Sequence, residues 1–202
     1  MRKLFNSFLC AFCIATFICC SDDKSEDIPP VVTDFLVANT NENGVISTVT
    51  VDDGVLYDVQ RQNISTSLKD TLLRCLASYT LAERTLSLYS INLVVSAQPC
   101  PPEDFLEETD DALPRDPMNV ISMWKSGGYI NMQLGLLTTG LNGHKYGFCE
   151  DSVGYYSLVH LRPEGDRESY TQKVYLSMPI PDSVSNLTFS VYTYNGIYTR
   201  TF

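Results

Sequence analysis

Two adjacent cysteines near the start of the chain, Cys19 and Cys20, are candidates for covalent modification. The residues before them open with two basic side chains and continue as an apolar run over residues 4–18, which is the pattern of an export signal. A bacterial lipoprotein is cut directly before the cysteine that receives the lipid, and the residue before the cut must be small. Cys20 meets this condition because Cys19 precedes it, whereas Cys19 follows the bulky Ile18. The sequence therefore predicts residues 1–19 as a signal peptide and Cys20 as the lipidated, palmitate-bearing residue; a plain secretory signal is the alternative.

The two histidines, His144 and His160, are the next side chains suited to chemistry, as general bases or metal ligands. His144 follows a Gly-containing turn, and His160 lies in an apolar run typical of a strand. Neither belongs to a G-x-S-x-G elbow or an H-E-x-x-H pair, so both are predicted to face solvent. We expect a non-enzymatic protein without a cofactor or a metal. Paired carboxylates for glycan hydrolysis meet only in space, so that activity stays an alternative.

An acidic, proline-rich stretch over residues 99–116 separates the two halves of the chain. Its carboxylates, clustered between Glu103 and Asp111, lack the central glycine and the alternating Asp spacing of a calcium loop. The composition therefore predicts a linker.

Three cysteines, Cys75, Cys100 and Cys149, lie outside the leader and the lipid site. An odd set cannot form a complete disulfide framework. One bridge in an oxidising compartment and three buried thiols both agree with the sequence.

Charge and composition describe the segment after the leader and exclude one class of partner. Residues 20–32 are polar and acidic and contain a diproline, which predicts an extended tether behind the lipidated cysteine. Its first residues, Ser21, Asp22 and Asp23, resemble a signal that moves some Gram-negative lipoproteins to the outer face of the outer membrane. Without residues 1–19 the net charge falls from -10 to about -12, and this charge repels phosphate backbones. We therefore expect an outer-membrane lipid anchor in the cell envelope and no nucleic-acid partner.

Short β-prone runs fill residues 33–98. Turn signals at Asn43 and Gly44 and again at residues 52–54 separate runs of alternating apolar side chains, which predicts a β-meander. Residues 67–79 are ambiguous, because their apolar side chains recur at helical spacing.

Residues 117–202 carry strand signals throughout. Residues 129–136 alternate apolar and polar side chains with a period of two. Gly127 and Gly128 predict one hairpin turn, and Asn195 with Gly196 predicts another of type I′. Short strands without a crossover helix predict an antiparallel β-sandwich, with Trp124 as a core anchor between its sheets.

These features together resemble the NigD-like lipoproteins of Gram-negative anaerobes. The resemblance rests on the order of lipobox, acidic tether, meander and Pro-rich connector, on residues 116–134 (DPMNVISMWKSGGYINMQL) and on the terminal aromatic hairpin. It implies an all-β fold, with an OB-like β-barrel in residues 33–98, a linker in residues 99–116 and a β-sandwich in residues 117–202. It also implies a strand, not a helix, near residues 73–79.

The same resemblance implies a non-enzymatic envelope protein linked to bacteriocin immunity or export. We expect it to bind a protein or peptide partner through the barrel face or the edge strands. Tyrosines bury a large area at low entropy cost, so the candidate binding surface is Tyr129, Tyr192, Tyr194 and Tyr198. Cross-strand packing is their other interpretation. The alternative function is a cell-surface carbohydrate-binding module or weak glycan hydrolase that stacks sugars on Tyr and Trp124.

Overall fold

The structure is a computed structural model that describes residues 29–61, 66–106, 112–182, 184 and 186–202. Within these residues the chain forms strands almost throughout, and the one helix, α1, is a single turn at Glu103–Leu106. The predicted all-β class is therefore confirmed. The predicted signal peptide, Cys20 and most of the tether lie outside the described residues.

The first five strands close into a small barrel. They are β1 (Val32–Thr40), β2 (Ile46–Val51), β3 (Leu56–Arg61), β4 (Leu72–Ala82) and β5 (Thr85–Leu93). They follow the order β1-β2-β3-β5-β4 around the barrel, and a parallel pairing of β3 with β5 completes it. This is the arrangement of an OB fold, so the predicted OB-like barrel is confirmed. Buried apolar side chains fill its interior, among them Leu36, Ile46, Val49 and Leu86.

The ambiguous residues 67–79 contain a strand, β4, and no helix. This strand pairs antiparallel with β1 on one side and with β5 on the other. Its residues Cys75, Ala77 and Tyr79 point into the barrel with a period of two. Leu68 and Leu72, two of the residues at helical spacing, are exposed, because barrel pairing and not helical periodicity decides which side chains are buried.

The remaining strands form a two-sheet sandwich. They are β6 (Val95–Ser96), β7 (Asn119–Ser126), β8 (Tyr129–Thr138), β9 (Lys145–Ser152), β10 (Tyr155–Leu161), β11 (Tyr170–Pro179), β12 (Thr188–Thr193) and β13 (Gly196–Thr201). One sheet has the order β13-β12-β10-β9 and the other has the order β6-β11-β8-β7. Their facing side chains form the larger core, which includes Met132, Leu134, Phe148 and Phe189. The predicted order of barrel and sandwich is confirmed.

Two of the pairings between named strands of the sandwich are parallel. Strand β12 runs parallel to β10 because the chain crosses to the opposite sheet, as β11, before it returns. Strand β6 leaves the barrel and runs parallel to β11 at the edge of the second sheet. The other sandwich pairings are antiparallel, as predicted.

The terminal hairpin is present, but its predicted type I′ turn is wrong. Thr193 pairs with Gly196, so Tyr194 and Asn195 are the central residues, and neither has the positive φ that this turn needs. Thr193 Oγ1 accepts a hydrogen bond from the Asn195 N–H and donates one to the Gly196 carbonyl, while Gly196 takes the positive φ, +115°. Two positive φ angles, 57° and 80°, occur instead at Gly127 and Gly128 in the β7–β8 turn.

The barrel packs on the outer face of the sheet that contains β7, β8 and β11. The ring of Phe35, on β1, meets Trp124 edge to face at 5.3 Å between centroids and meets Tyr175 at 6.1 Å. Trp124 therefore lies between the barrel and the sandwich, and the prediction that it anchors the core between the two sheets is wrong. The reason is strand alternation: its neighbour Met123 takes the inward position on β7 and is buried in the sandwich core.

A buried polar network joins the modules beside these rings. The Arg74 side chain on β4 is 1% exposed and donates to both carboxylate oxygens of Asp52, at 2.5 and 2.9 Å. It also donates to Asn131 Oδ1 on β8 at 2.9 Å, and its guanidinium lies 4.2 Å from the ring centroid of Tyr129. The Ser126 hydroxyl donates to Asp52 at 2.5 Å. The buried charge is thus paired and hydrogen-bonded by residues of both modules.

Candidate functional site

Two of the four predicted surface tyrosines are engaged in internal contacts. Tyr129 is half-buried beneath the Arg74 guanidinium at the module interface. The Tyr194 hydroxyl accepts hydrogen bonds from the Leu137 N–H at 3.2 Å and from the Arg162 guanidinium at 3.3 Å. These contacts tie the terminal hairpin to the end of β8.

The other two tyrosines lie on neighbouring strands, β12 and β13, and point to opposite faces of the same sheet. Tyr192 points outward from β12, where the Arg115 guanidinium lies 4.6 Å from its ring centroid. Tyr198 pairs across the hairpin with the core residue Val191, so its side chain is on the inward face. The structure therefore does not bring the four tyrosines into one surface, and their role in binding stays a prediction.

A cleft of about 510 Å³ opens where the edges of the two sandwich sheets meet the barrel. Barrel residues such as Leu76 and Leu93 form one wall, and Leu141 and Tyr146 form part of the other. Three apolar side chains stay accessible around it, with exposed fractions of 58% for Leu93, 43% for Val95 and 42% for Leu141. Most of the lining is apolar, which is the character of a site that binds an apolar or amphipathic group.

The cleft follows the backbone edge of β11. Three consecutive residues of this strand, Lys173, Val174 and Tyr175, line it. Because side chains alternate across a strand, a cavity that touches all three runs along the edge and not over one face. On this edge β11 pairs with β6 only at Leu176 and Ser177, whereas β8 pairs with the whole opposite edge. No strand of the described chain pairs with residues 170–175 on the cleft side.

Two buried histidines lie at the end of the cleft. The His144 side chain is fully buried, His160 is 1% exposed, and the two rings stack at 5.2 Å between centroids. The prediction that both histidines face solvent is therefore wrong. His160 alternates with Tyr156 and Leu158 on the inward face of β10, and its backbone N–H donates to the Pro114 carbonyl of the connector (residues 99–116), which pairs with the edge of this strand. His144 lies in the β8–β9 loop, where its Nε2 contacts Thr138 Oγ1.

Hydrogen-bond partners assign the ring protons of the two histidines. Burial lowers the pKa of His160, which favours its neutral ring. Its Nδ1 lies 2.9 Å from the Asp116 carbonyl, which can only accept, so this nitrogen carries the proton. His160 Nε2 then accepts from His144 Nδ1 at 2.9 Å. His144 Nε2 lies 3.2 Å from Thr138 Oγ1 and 3.4 Å from Asp166 Oδ2, so every ring nitrogen has a partner.

Asp166 ends this chain of hydrogen bonds. Burial raises the pKa of its carboxyl, but hydrogen bonds from Thr139 and Thr138 and the charge of Arg162 outweigh burial, so the pKa lies well below its ordinary value. The carboxylate is therefore held ionised beside His144. The arrangement is that of a structural network, because each of its polar groups is already bound to another.

The hydroxyl of Tyr146 is the exception in this region. It is buried and has no hydrogen-bond partner among the described residues, and burial raises the pKa of Tyr146 to about 12. The ring stacks on His160 at 5.0 Å between centroids and lines the cleft. Tyr146 is thus a neutral polar group at a mostly apolar site.

We also searched the described residues for metal-binding clusters and for helices that could span a membrane. Across the described ranges, no group of three or more His, Cys, Asp or Glu is arranged to hold a metal ion. No helix in the part of the chain that the structure covers has the length and hydropathy to cross a membrane.

None of the cleft residues was among the predicted site residues. Leu93 and Lys173 belong to different modules, and the packing of the barrel on the sandwich brings them to the same cleft. One sequence signal was available: the run from β5 into β6 keeps apolar side chains on both faces, which predicts an additional contact beyond the barrel core.

No protein-family model and no curated protein matches the chain. Among solved structures, it is similar to a NigD-like immunity protein from Bacteroides caccae, with 27% sequence identity and a TM-score of 0.66 over 86% of this chain and 92% of that one. It is also similar to a protein described as toxin-related from Parabacteroides distasonis, with 16% identity and a TM-score of 0.71 over 86% and 92% of the two chains. A protein of unknown function from Bacteroides vulgatus shares 14% identity and a TM-score of 0.65 over 86% and 90%. The last two show the fold alone, whereas the first also carries the sequence resemblance. The resemblance of this chain to the NigD-like family is therefore confirmed.

Proposed function

We propose that the chain is a non-enzymatic, lipid-anchored envelope protein that binds an extended segment of a protein or peptide partner in the cleft beside β11. The free edge of β11 is the observation that carries the proposal. Its backbone N–H and C=O groups over residues 170–175 repeat at strand spacing, and a polypeptide in extended conformation is the ligand class that matches this spacing. Leu93, Val95 and Leu141 would receive its apolar side chains.

The names of two similar solved structures support a partner related to bacteriocins. The Bacteroides caccae relative is named a NigD-like immunity protein, and the Parabacteroides distasonis relative is described as toxin-related. We propose that the partner of this chain belongs to bacteriocin immunity or export. A peptide or an extended toxin segment is the form of partner that the cleft would accept.

The buried histidines support binding without catalysis. A general base needs a free nitrogen within reach of its substrate. All four ring nitrogens of His144 and His160 are bound within the protein, and the adjacent Thr138 hydroxyl contacts Asp166. The cluster would therefore fix the position of Tyr146 at the cleft and would not act on a ligand.

Peptide selection against the purified protein tests the cleft. Peptides selected from a random library should bind the wild type, and Leu93→Glu should weaken binding at least about tenfold, because it places a charge in the apolar cleft. Ile197→Glu on β13 is the matched control, since Ile197 is 59% exposed and Leu93 is 58% exposed. Titration calorimetry with one selected peptide measures both variants.

Hydrogen exchange tests the mode of binding. Addition of a strand should slow amide exchange within residues 170–175 when the selected peptide is bound, and exchange in β13 should not change. Equal loss of affinity in both Glu variants, or protection at β13 without protection at β11, would reject the cleft as the binding site.

We further propose Cys20 as the lipid acceptor that holds the protein at the outer membrane, exposed on its outer face. The signal-like residues 1–19 and the acidic residues 20–32 support this. Cys20→Ala should abolish labelling by a fatty-acid probe and release the protein to the soluble fraction, and external protease should digest the wild type on intact cells. Membrane retention of the Cys20→Ala protein would contradict the anchor.

A further inference from the structure

We infer that Cys100 and Cys149 form a disulfide bond that fastens the connector to the sandwich. They lie opposite each other where the connector pairs in parallel with the edge strand β9. The Cys100 N–H donates to the Phe148 carbonyl at 3.0 Å, and the Cys100 carbonyl accepts from the Glu150 N–H at 2.9 Å. These two bonds fix Cys149 as the direct partner of Cys100.

The geometry of this pair suits a disulfide. Neighbouring strands lie about 4.8 Å apart, and disulfides join Cα atoms roughly 4.4 to 6.8 Å apart. Side chains of directly paired residues point to the same face of a sheet. Phe148 faces the sandwich core, so Cys149 and its direct partner Cys100 both face outward, on the same side of the sheet. Both thiols are free in the structure.

The third cysteine is excluded by position. Cys75 is fully buried in the barrel, where it pairs across the sheet with Leu36 and Leu93 and its thiol donates to the Leu73 carbonyl. Cys100 and Cys149 belong to the connector and the sandwich. The odd number of cysteines thus resolves into one pair and one core thiol.

The reaction needs an oxidant, and we assign this role to a disulfide-bearing thiol oxidoreductase or oxidised glutathione. Cys100 is partly exposed, so its thiolate attacks the oxidant disulfide and releases one reduced sulfur. The Cys149 thiolate then attacks Cys100 Sγ and releases the second. The two cysteine thiols lose two protons and two electrons in total, and the oxidant gains them.

Folding affects the rate of this reaction. Burial raises the pKa of the Cys149 thiol to about 12, so few molecules of the folded protein hold it as the reactive thiolate near neutral pH. We therefore expect the bond to form while the chain folds. Oxidative refolding is the suitable experiment.

The test uses the full chain with the leader cysteines changed, as Cys10→Ser, Cys13→Ser, Cys19→Ser and Cys20→Ser. The chain is refolded with oxidised and reduced glutathione, alkylated and digested. Mass spectrometry should find one linked peptide pair, containing Cys100 and Cys149 and lighter by two hydrogen atoms, with Cys75 alkylated. A link that includes Cys75, or alkylation of all three cysteines, would overturn the inference.

A stability measurement gives a second readout. Reduction of the refolded protein should lower its melting temperature by roughly 5 to 10 °C. Cys75→Ser should retain this dependence on reductant, and Cys100→Ser should lose it. The same dependence in Cys100→Ser would also reject the bond. Refolding involves neither a lipid nor a peptide partner, so failure here would leave the proposed function unaffected.

Discussion

Arg74 links the barrel to the sandwich through a charge that is almost completely buried. Its carboxylate partner, Asp52, is itself only 11% exposed at the side chain, and Asn131 supplies a further acceptor from the sandwich. Removal of one member of a buried ion pair leaves the other without compensation, and this costs more than the pair contributes. Replacement of either Arg74 or Asp52 should therefore destabilise the protein.

Replacement of the cation tests this sensitivity. Arg74→Met should lower the free energy of unfolding by about 3 to 5 kcal/mol, because the Asp52 carboxylate stays buried and unpaired. Urea denaturation measures the change. The exposed Arg84 is the matched control, and Arg84→Met should shift the value by less than about 0.5 kcal/mol. Similar losses in both variants would show that the buried pair has no special importance.

The buried histidines should make stability depend on pH. Burial lowers the pKa of His160 below its ordinary value of 6.5, so the unfolded chain binds more protons than the folded chain as pH falls through 6.5. The free energy of unfolding should therefore decrease below that pH. The carboxyl of Asp166 has a pKa below its usual 3.8, so its stabilising effect is lost only in stronger acid.

His160→Gln should reduce this pH dependence. Between pH 7 and pH 5, the slope of unfolding free energy should be shallower than in the wild type by up to about 1.4 kcal/mol per pH unit. Ile197→Gln is the control, because it places the same side chain at a position that is 59% exposed, so it should not alter the slope in this window. Denaturant titrations at several pH values measure the slopes, and parallel wild-type and His160→Gln curves would contradict the assignment.

At the scale of elements, two barrel turns look alike in sequence but differ in their surroundings. Gly44 follows β1 with a φ of +74°, and Gly54 follows β2 with a φ of +89°. A Cβ at Gly44 would lie 2.1 Å from the Thr66 carbonyl oxygen, whereas nothing lies within 4 Å of one at Gly54. Only the first turn is closed by a neighbouring backbone segment.

This difference predicts unequal costs for the same substitution. Gly54→Ala should destabilise by about 1 kcal/mol, which is the penalty for a left-handed residue with a side chain. Gly44→Ala should cost at least about 2 kcal/mol more, because the Thr66 backbone must also shift. Thermal or urea unfolding of the two variants provides the comparison, and equal costs would mean that the segment near Thr66 yields freely.

Most strands could be predicted from the sequence, because the alternation of apolar and polar side chains along a strand is visible in the residues of that strand alone. Strand β8 shows the limit: its apolar side, with Met132 and Leu134, was predicted as one face of a sandwich strand. The sequence gives no sign that Asn131 on the polar side is also fully buried, since the barrel that covers it comes from a distant part of the chain. The cleft was missed for the same reason. Its walls are brought together by strand pairing across modules, which no local pattern encodes.

The whole molecule should unfold as one unit. The modules share the Arg74 network, the ring contact of Phe35 with Trp124 and the pairing of β6 with β11. Trp124 is the sole tryptophan, and it lies at the module interface, so its fluorescence reports on that interface.

Two probes should therefore follow one transition. Fluorescence from Trp124 and far-ultraviolet circular dichroism from all strands should give the same urea midpoint in the wild type. In Arg74→Met the fluorescence transition should move to lower urea than the circular dichroism transition, because the interface opens first. Separate midpoints in the wild type would indicate two independently unfolding modules.

The position of β12 has a consequence for a chain that emerges amino terminus first from a ribosome or an export channel. All five barrel strands are available once Leu93 has emerged, whereas β12 is held between β10 and the final strand β13, which ends at Thr201. The barrel can close early, but the sandwich must wait until β12 and β13 have emerged. A chain stopped before Thr188 would leave the edge of β10 and the apolar side of its sheet uncovered, and would therefore be prone to aggregate or to be degraded.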